Sequence, residues 1–311
     1  MEFLMATEIS QKNLTQFSKT KWYKNKEYIA AFCFLLPNLL GFILFMLLPV
    51  VGSFLISFFD WRLLTPPQFV GLKNFIRLFS DDLFWKTVIN TFYFVVLKVP
   101  IIIFLSLFFA ILLNKQIVGK NIFRTICFLP MVCSAVSIAL IFKPLMGSGS
   151  DSFFNHILSH IGLGPFSWIN SSEMAMESIV FVAVWKEIGY FMVIFLAGLQ
   201  GISRSYYEAA KIDGANFLQV FRNITLPLIS PTTFFIVITS VISSFQIFDL
   251  TSVLTRGGPG NATNTIVMYI YQSGFEFFRM GYSSALSYVL FTIIFIFTFF
   301  QNKVSKKWVH Y

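Results

Sequence analysis

The stretch Gln200-Gly-Ile-Ser-Arg-Ser-Tyr-Tyr-Glu-Ala-Ala-Lys-Ile-Asp-Gly-Ala-Asn-Phe-Leu-Gln-Val-Phe-Arg-Asn-Ile-Thr-Leu-Pro227 is the most informative part of this sequence. This 200–227 loop separates two apolar runs and is too long for a simple turn. Ser205 and Glu208 have the spacing of a capping box, which predicts the start of a short helix. Gly214 predicts a C-cap or sharp turn, because glycine adopts positive φ easily. A second short helix is predicted to begin at Phe217, and Pro227 suits the first turn of the next long helix.

Outward from the 200–227 loop, the sequence consists mostly of long apolar runs. Hydrophobic residues make up 56% of the chain and charged residues only 12%, about half the charge of an ordinary soluble domain. This composition excludes a soluble globular enzyme and a disordered chain. Six runs approach or exceed the roughly 20 residues that span a bilayer, so we predict an all-α, polytopic membrane protein. The predicted spans are about Tyr28–Phe59, Val88–Leu113, Thr125–Phe142, Met176–Leu199, Leu226–Leu254 and Tyr282–Phe300, the first leaving the membrane near Pro49.

The distribution of basic residues predicts how the chain is oriented. Six spans place both termini on one side, and that side, which also holds the 200–227 loop, carries about twice as many Lys and Arg as the other. The positive-inside rule therefore predicts that both termini are cytoplasmic. The predicted regions are a cytoplasmic tail at 1–27, the first span and outer loop at 28–87, a core of five spans at 88–302, and a cytoplasmic tail at 303–311.

Several motifs give the chain a specific resemblance. Glu208-Ala209-Ala210, Gly214 and Leu226-Pro227 match the EAA loop of binding-protein-dependent ABC importers, and Asp213, Gly214 and Ala215 complete the form common among carbohydrate permeases. From about Phe69 onward the sequence resembles the maltose-type inner-membrane permeases of sugar importers. The supporting motifs are Phe69-Val-Gly-Leu-Lys-Asn-Phe75, Trp185-Lys-Glu187, Leu196-Ala-Gly-Leu-Gln200, Phe248-Asp249 and Thr255-Arg-Gly-Gly-Pro259.

The resemblance implies a fold, a location and a set of partners. It implies the type I ABC importer permease fold in a bacterial plasma (inner) membrane, with a second homologous permease completing the pathway. Two separate ATPase subunits and an extracytoplasmic sugar-binding protein are the other expected partners, with a carbohydrate as the cargo. The residues expected to couple to the ATPase are Glu208, Ala209, Ala210, Asp213, Gly214, Ala215, Phe217 and Pro227.

No catalytic residue is predicted on this chain. It has no Gly-x-x-x-x-Gly-Lys-Ser/Thr phosphate loop, so we expect ATP and Mg²⁺ to bind the ATPase subunits and no cofactor to bind here. No nucleic-acid-binding motif is present.

Permeases for glycerol phosphate or another polyol ester are the alternative within this class. A secondary transporter and an intramembrane enzyme are the alternatives outside it, and neither would need an ATPase-docking loop.

Two polar faces within the predicted spans are the candidate cargo site. Ionisable groups at membrane depth cost about 2.5–3.5 kcal/mol each to insert, so each is expected to have a structural or functional role. The fourth span places Lys186, Glu187 and Tyr190 on one helical face, and the fifth span repeats the spacing. The resemblance implies that the sugar-contacting positions are Lys186, Glu187, Tyr190, Ser240, Ser243, Ser244 and Ile247.

Other roles for the same residues stay open. Lys186 and Glu187 are equally consistent with an ion pair to the partner permease, and the serines with close helix packing. Lys98 is expected to snorkel to an interface or to pair with a neighbour, with contact to the cargo as the alternative.

The segments predicted to face outward hold further candidates. Asp249 is a candidate for an outer gate or a local cap, and Gly257, Gly258 and Pro259 are candidates for contact with the binding protein. His156 and His160 have a spacing that can hold zinc on a helix, but the surrounding pattern is that of an amphipathic surface helix. We therefore predict no metal site.

Overall fold

A computed structural model describes residues 26–115 and 118–309 of the chain, and its side chains from Tyr28 onward in the first helix. The predicted tail at 1–27 therefore lies almost wholly outside the described residues. The described part is mostly helical, with one two-stranded antiparallel sheet, β1 (Phe59–Asp60) and β2 (Gln68–Phe69). The helices are α1 (Lys26–Phe42), α2 (Leu48–Ile56), α3 (Lys73–Phe79), α4 (Asp82–Asn114), α5 (Lys120–Val132), α6 (Ala135–Leu145), α7 (Phe153–Ser159), α8 (Ala175–Gln200), α9 (Arg204–Ile212), α10 (Phe217–Val220), α11 (Leu226–Leu228), α12 (Ser230–Phe245), α13 (Asp249–Leu254), α14 (Ile266–Tyr271) and α15 (Met280–Ser305).

Five helical segments of the described chain are long and apolar enough to cross a membrane, and the bent pair α5–α6 makes a sixth if it counts as one span. The five are Tyr28–Ile56, Asp82–Asn114, Ala175–Gln200, Ser230–Leu254 and Met280–Ser305. This confirms the predicted all-α, polytopic class.

The first span forms a unit of its own, with the division between Leu55 and Ile56. Helices α1 and α2 are joined by a π-helical turn at Ile43–Leu47. The helix continues past Pro49 to Ile56, and the exit of the chain from the membrane near Pro49 stays a prediction. Local π geometry in a membrane helix can satisfy backbone groups that a proline frees.

The third predicted span is not a single straight helix. Helices α5 and α6 meet at an angle of 98°, because Cys133 and Ser134 between them are extended, with ψ of 145° and 135°. Hydropathy predicted one continuous span here, because it depends on the composition of the sequence and carries no information on the direction of the backbone.

Helix α8 is the centre of the second unit. It packs against α4 along its length and also against α5, and most of its side chains belong to the largest apolar core. Gly189 allows the α5 contact: a Cβ at this position would lie 1.8 Å from the Cys127 carbonyl oxygen. This packing fixes the polar residues of α8 relative to those of α4 and α12.

Candidate functional site

A polar cavity of about 150 Å³ lies among α4, α6, α8, α12 and α13. It is the place where the polar faces predicted on the fourth and fifth spans meet. Its lining residues are Lys98, Ala135, Ala183, Lys186, Glu187, Ser243, Gln246, Ile247, Phe248, Asp249 and Leu250. The fold therefore brings together Lys186, Glu187, Ser243 and Ile247 of the predicted cargo set, and adds Lys98 and Asp249.

A buried ion pair joins α4 to α8 at the wall of the polar cavity. The Lys98 Nζ lies 2.8 Å from the Glu187 Oε2, and the Lys98 side chain is only 2% exposed. Of the roles expected for Lys98, the structure shows pairing with a neighbour. The Phe94 ring centroid, 5.7 Å from the same Nζ, adds a weak cation–π contact.

Lys186, next to Glu187 in sequence, has no such partner. Its Nζ lies 3.9 Å from the Met131 Sδ on α5, and thioether sulfur is a weak acceptor. Among residues 26–115 and 118–309, no carboxylate is within ion-pair distance of Lys186. Successive residues of a helix do not face each other. Glu187 therefore reaches Lys98 on α4, while Lys186 points toward Met131 on α5.

Three of the predicted cargo residues do not line the polar cavity. Ser240 and Ser244 are fully buried, and the Ser244 Oγ donates to the Ser240 carbonyl oxygen at 2.5 Å. Tyr190 is half-buried and its ring packs edge-on against Phe191, with centroids 5.2 Å apart. Burial among packed helices favours the close-packing role for these two serines, which periodicity alone could not separate from cargo contact.

The segment after α12 carries the residues predicted to face outward. Asp249 is exposed and is the first residue of α13. The 255–261 loop is held against α4, where Lys86 Nζ donates to the Gly260 carbonyl at 2.6 Å and Asn90 Nδ2 to that of Asn261 at 2.8 Å. Gly257 is buried with φ +81°, whereas Gly258 and Pro259 are partly exposed.

The 200–227 loop forms two helical segments, as predicted: α9, and α10, which a π-helical turn at Phe221–Thr225 joins to α11. The first begins earlier than expected. Ser203, not Ser205, caps α9, and its hydroxyl accepts a 3.4 Å hydrogen bond from the Ser205 N–H. The predicted capping box of Ser205 and Glu208 is therefore wrong, because Glu208 lies in the body of the helix. Instead, a capping box joins Asn216 and Gln219 at the start of α10; its Asn-x-x-Gln spacing was visible in the sequence.

Gly214 ends α9 as predicted. Its φ is +74°, and two hydrogen bonds complete a Schellman motif: Gly214 N–H donates to the Lys211 carbonyl at 3.2 Å, and Ala215 N–H to the Ala210 carbonyl at 2.9 Å. This geometry fixes how the chain turns from α9 toward α10.

The expected ATPase-coupling residues form a largely exposed surface. Glu208, Ala209, Asp213, Gly214 and Phe217 are exposed, Ala215 and Pro227 are half-buried, and Ala210 is buried. Ile212 and Leu218 are also exposed, at 86% and 68%. Large apolar side chains exposed in this way typically mark an interaction surface.

One polar cluster was missed by sequence reasoning. The Asp81 Oδ2 accepts hydrogen bonds from the Tyr269 hydroxyl at 2.5 Å and the Tyr282 hydroxyl at 2.6 Å, while Oδ1 caps α4 through the Leu83 N–H. Burial raises the pKa of Asp81, but the two tyrosines and the backbone N–H groups outweigh it, so the pKa lies below its usual value. Burial and the bond to Asp81 raise the pKa of Tyr269 to about 12. These residues are far apart in sequence, so no local pattern links them.

The two histidines lie as a pair on α7 and its end, with ring centroids of His156 and His160 5.0 Å apart. Within the described residues no group of three His, Cys, Asp or Glu side chains is placed to hold a metal ion.

Comparison with known proteins identifies the family. The profile of the family described as "Binding-protein-dependent transport system inner membrane component" matches residues 80–310. The chain belongs to this family. The resemblance read from the EAA motif is therefore confirmed, and the chain is a multi-pass membrane permease.

Members of the family share most of their length with this permease. The "Probable ABC transporter permease protein YesP" of Bacillus subtilis is 35% identical over 291 residues, covering 92% of this chain and 93% of that protein. The "Trehalose/maltose transport system permease protein MalF" of Thermococcus litoralis is 34% identical over 291 residues, covering 92% and 97%. A chain of a bacterial alginate ABC transporter, in complex with an alginate-pentasaccharide-bound periplasmic protein, has the same fold, with a TM-score of 0.83, 24% identity and coverage of 93% and 98%.

Proposed function

We propose that this permease is half of the translocation pathway of an ATP-driven importer for a sugar or oligosaccharide. The observation that carries the proposal is the similarity over 92% of the chain to a permease named for trehalose and maltose. The polar cavity is consistent with this cargo, because hydroxyl groups need hydrogen-bonding partners that the surrounding apolar helices lack. Like the family in general, the chain would work in the bacterial inner membrane, with both termini cytoplasmic.

We infer three kinds of partner for this permease. A second homologous permease completes the pathway, an extracytoplasmic binding protein delivers the sugar, and two ATPase subunits hold the ATP and Mg²⁺. Asp249, Gly257, Gly258 and Pro259 are proposed to contact the binding protein or to form an outer gate, supported by the exposure of Asp249 and the partial exposure of Gly258 and Pro259.

Cargo contact is assigned to the residues that line the polar cavity. Lys186, Ser243 and Ile247 offer a cation, a hydroxyl and an apolar surface, and Glu187 keeps an exposed fraction of 20% while paired to Lys98. Tyr190, Ser240 and Ser244 shape the cavity from behind through the packing of α8 and α12.

Coupling is assigned to the 200–227 loop. Glu208 is exposed and has no partner within the described residues, so its carboxylate is available to another subunit. The Schellman turn at Gly214 gives α9 a defined direction, which lets it transmit movement as a rigid lever. ATP-driven closure of the ATPase pair would rock the helix bundles and expose the cavity alternately to each side.

The test is a reconstituted importer with variants in the 200–227 loop. Glu208→Ala and Gly214→Pro should leave the permease pair in the membrane but abolish ATPase binding or its stimulation by loaded binding protein. Tyr206→Phe, on the exposed surface of the same helix, is the matched control and should transport normally. Normal transport by both loop variants would refute the lever, and uptake that needs no ATPase would identify a secondary transporter instead.

A further inference from the structure

The charges around the polar cavity are not equivalent. Lys98 and Glu187 neutralise each other at 2.8 Å, and burial of Lys98 to 2% exposure fixes that pair in the wall. Lys186 and Asp249 line the same cavity without an ion-pair partner among the described residues. The cavity therefore presents a separate cation and a separate anion to whatever enters it.

Lys186 is the group that needs explaining. A lysine within a membrane span is costly unless it pairs or faces a polar pathway. Its contact within the described chain is the Met131 thioether at 3.9 Å, which cannot compensate an ammonium charge. A ligand carboxylate would form a charge-assisted hydrogen bond with the Lys186 Nζ and remove this cost.

Asp249 restricts which anion fits. Its exposed carboxylate would repel a second negative charge and would accept hydrogen bonds from hydroxyl groups. Ser243 and Gln246, on the same lining, can donate and accept as well. A group with one carboxylate and several hydroxyls can bind Lys186 through the carboxylate and donate hydrogen bonds from its hydroxyls to Asp249. A phosphate monoester carries a second negative charge, which Asp249 would repel.

We propose that the cargo is a uronic acid oligosaccharide, with one carboxylate on each sugar unit, and that Lys186 binds the carboxylate of the unit that occupies the polar cavity during passage. This inference rests on the proposed importer function and adds the chemical class of the sugar.

The test uses the complete importer in proteoliposomes with its partner permease, ATPase and binding protein. Oligosaccharides of galacturonate, glucuronate and mannuronate are each compared with their carboxyl-reduced, neutral counterparts of the same length, and with a sugar phosphate. We expect ATP-dependent uptake of one uronate series. We also expect Lys186→Gln to lower that uptake roughly ten-fold or more, the loss typical of a charged hydrogen bond, while the complex still assembles. Lys186→Arg should retain most uptake, because it keeps the charge.

Lys120→Gln, an exposed lysine at the start of α5, is the matched control and should transport like the unmodified importer. Preference for the neutral counterparts or the sugar phosphate, or equal uronate uptake by Lys186→Gln, would overturn the inference. Dissociation of the two permeases in Lys186→Gln would overturn it too, assigning Lys186 to the permease interface. If no saccharide, acidic or neutral, enters with ATP, the importer proposal itself fails and this inference with it.

Discussion

At the scale of single residues, two buried polar arrangements hold this permease together across long sequence distances. Asp81 ties the start of α4 to Tyr269 and Tyr282, and Lys98 ties α4 to Glu187 on α8. In the first, two neutral hydroxyls stabilise a carboxylate; in the second, two opposite charges compensate each other. Removing a single partner therefore exposes the cost of leaving the other uncompensated.

The Asp81 cluster gives a prediction with a defined pH range. Asp81→Asn or Tyr269→Phe should lower the free energy of unfolding by about 1.5–3 kcal/mol, the usual size for a hydrogen bond to a charged group. Because the folded-state pKa of Asp81 is lowered, its contribution is present above the ordinary value of 3.8 and is lost as the pH falls through the lowered pKa. Because the pKa of Tyr269 is raised to about 12, its contribution is complete below the ordinary value of 10.0 and is lost as the pH rises through 12.

Thermal unfolding of the purified permease in detergent across this pH range measures both effects. Tyr271→Phe, which removes an exposed hydroxyl from the last residue of the same helix, is the control and should change little. An Asp81→Asn variant as stable as the unmodified chain at neutral pH would contradict the stabilising role of the cluster.

The Lys98–Glu187 pair gives a second prediction. Glu187→Gln leaves Lys98 charged and buried, and should cost about 3–5 kcal/mol of stability. The double variant Lys98→Met, Glu187→Met should recover much of that loss, since it removes both charges together. Thermal unfolding in detergent is compared for the single variant, the double variant and a Lys186→Met control. The control should not lower the stability, because that lysine has no pair to break. A double variant less stable than Glu187→Gln would show that the pair is favourable in itself.

At the scale of elements, the fit of α8 against α5 depends on the absence of one side chain. A Cβ at Gly189 would lie 1.8 Å from the Cys127 carbonyl oxygen and 2.7 Å from the Phe128 nitrogen, and backbone atoms cannot move aside as a flexible side chain can. We expect Gly189→Ala to separate the two helices and to destabilise the permease by at least about 2 kcal/mol, the range of other overpacked sites.

Gly41→Ala is the matched control, because that helical glycine has open space where its Cβ would lie. The variants are compared by thermal unfolding and by yield of folded protein from membranes. Equal stability of Gly189→Ala and the unmodified permease would mean that the helices do not approach this closely in the membrane.

The sequence predicted the helices better than it predicted the bends and caps between them. Long apolar runs located α4, α8 and α15 to within about six residues, because hydropathy integrates over a whole span. The 98° bend at Cys133–Ser134 and the cap at Ser203 depend on the dihedral angles of one or two residues, which hydropathy does not carry. Similarly, the spacing found the polar face of α8 but not its pairing with Lys98, since that contact joins two distant segments.

At the scale of the whole molecule, the arrangement of spans makes a prediction about sidedness. In a variant with Cys33, Cys127 and Cys133 replaced by serine, Ser150→Cys and Ala262→Cys should react with an impermeant thiol reagent added outside intact cells. Ser205→Cys, on the 200–227 loop, should react only after the inner face is opened. The reverse pattern would invert the topology and with it the assignment of the 255–261 loop to the binding protein.

The ion pair between α4 and α8 also constrains how the chain can be inserted into the membrane during its synthesis. Lys98 is synthesised and enters the bilayer well before Glu187 leaves the ribosome, so the nascent second span carries an uncompensated charge until the fourth arrives. The early spans would therefore be held beside the insertion machinery, or leave it reversibly, rather than diffuse away one by one. A chain truncated after α6 should be degraded faster when Lys98 is present than when methionine replaces it, and the difference should vanish once α8 is included.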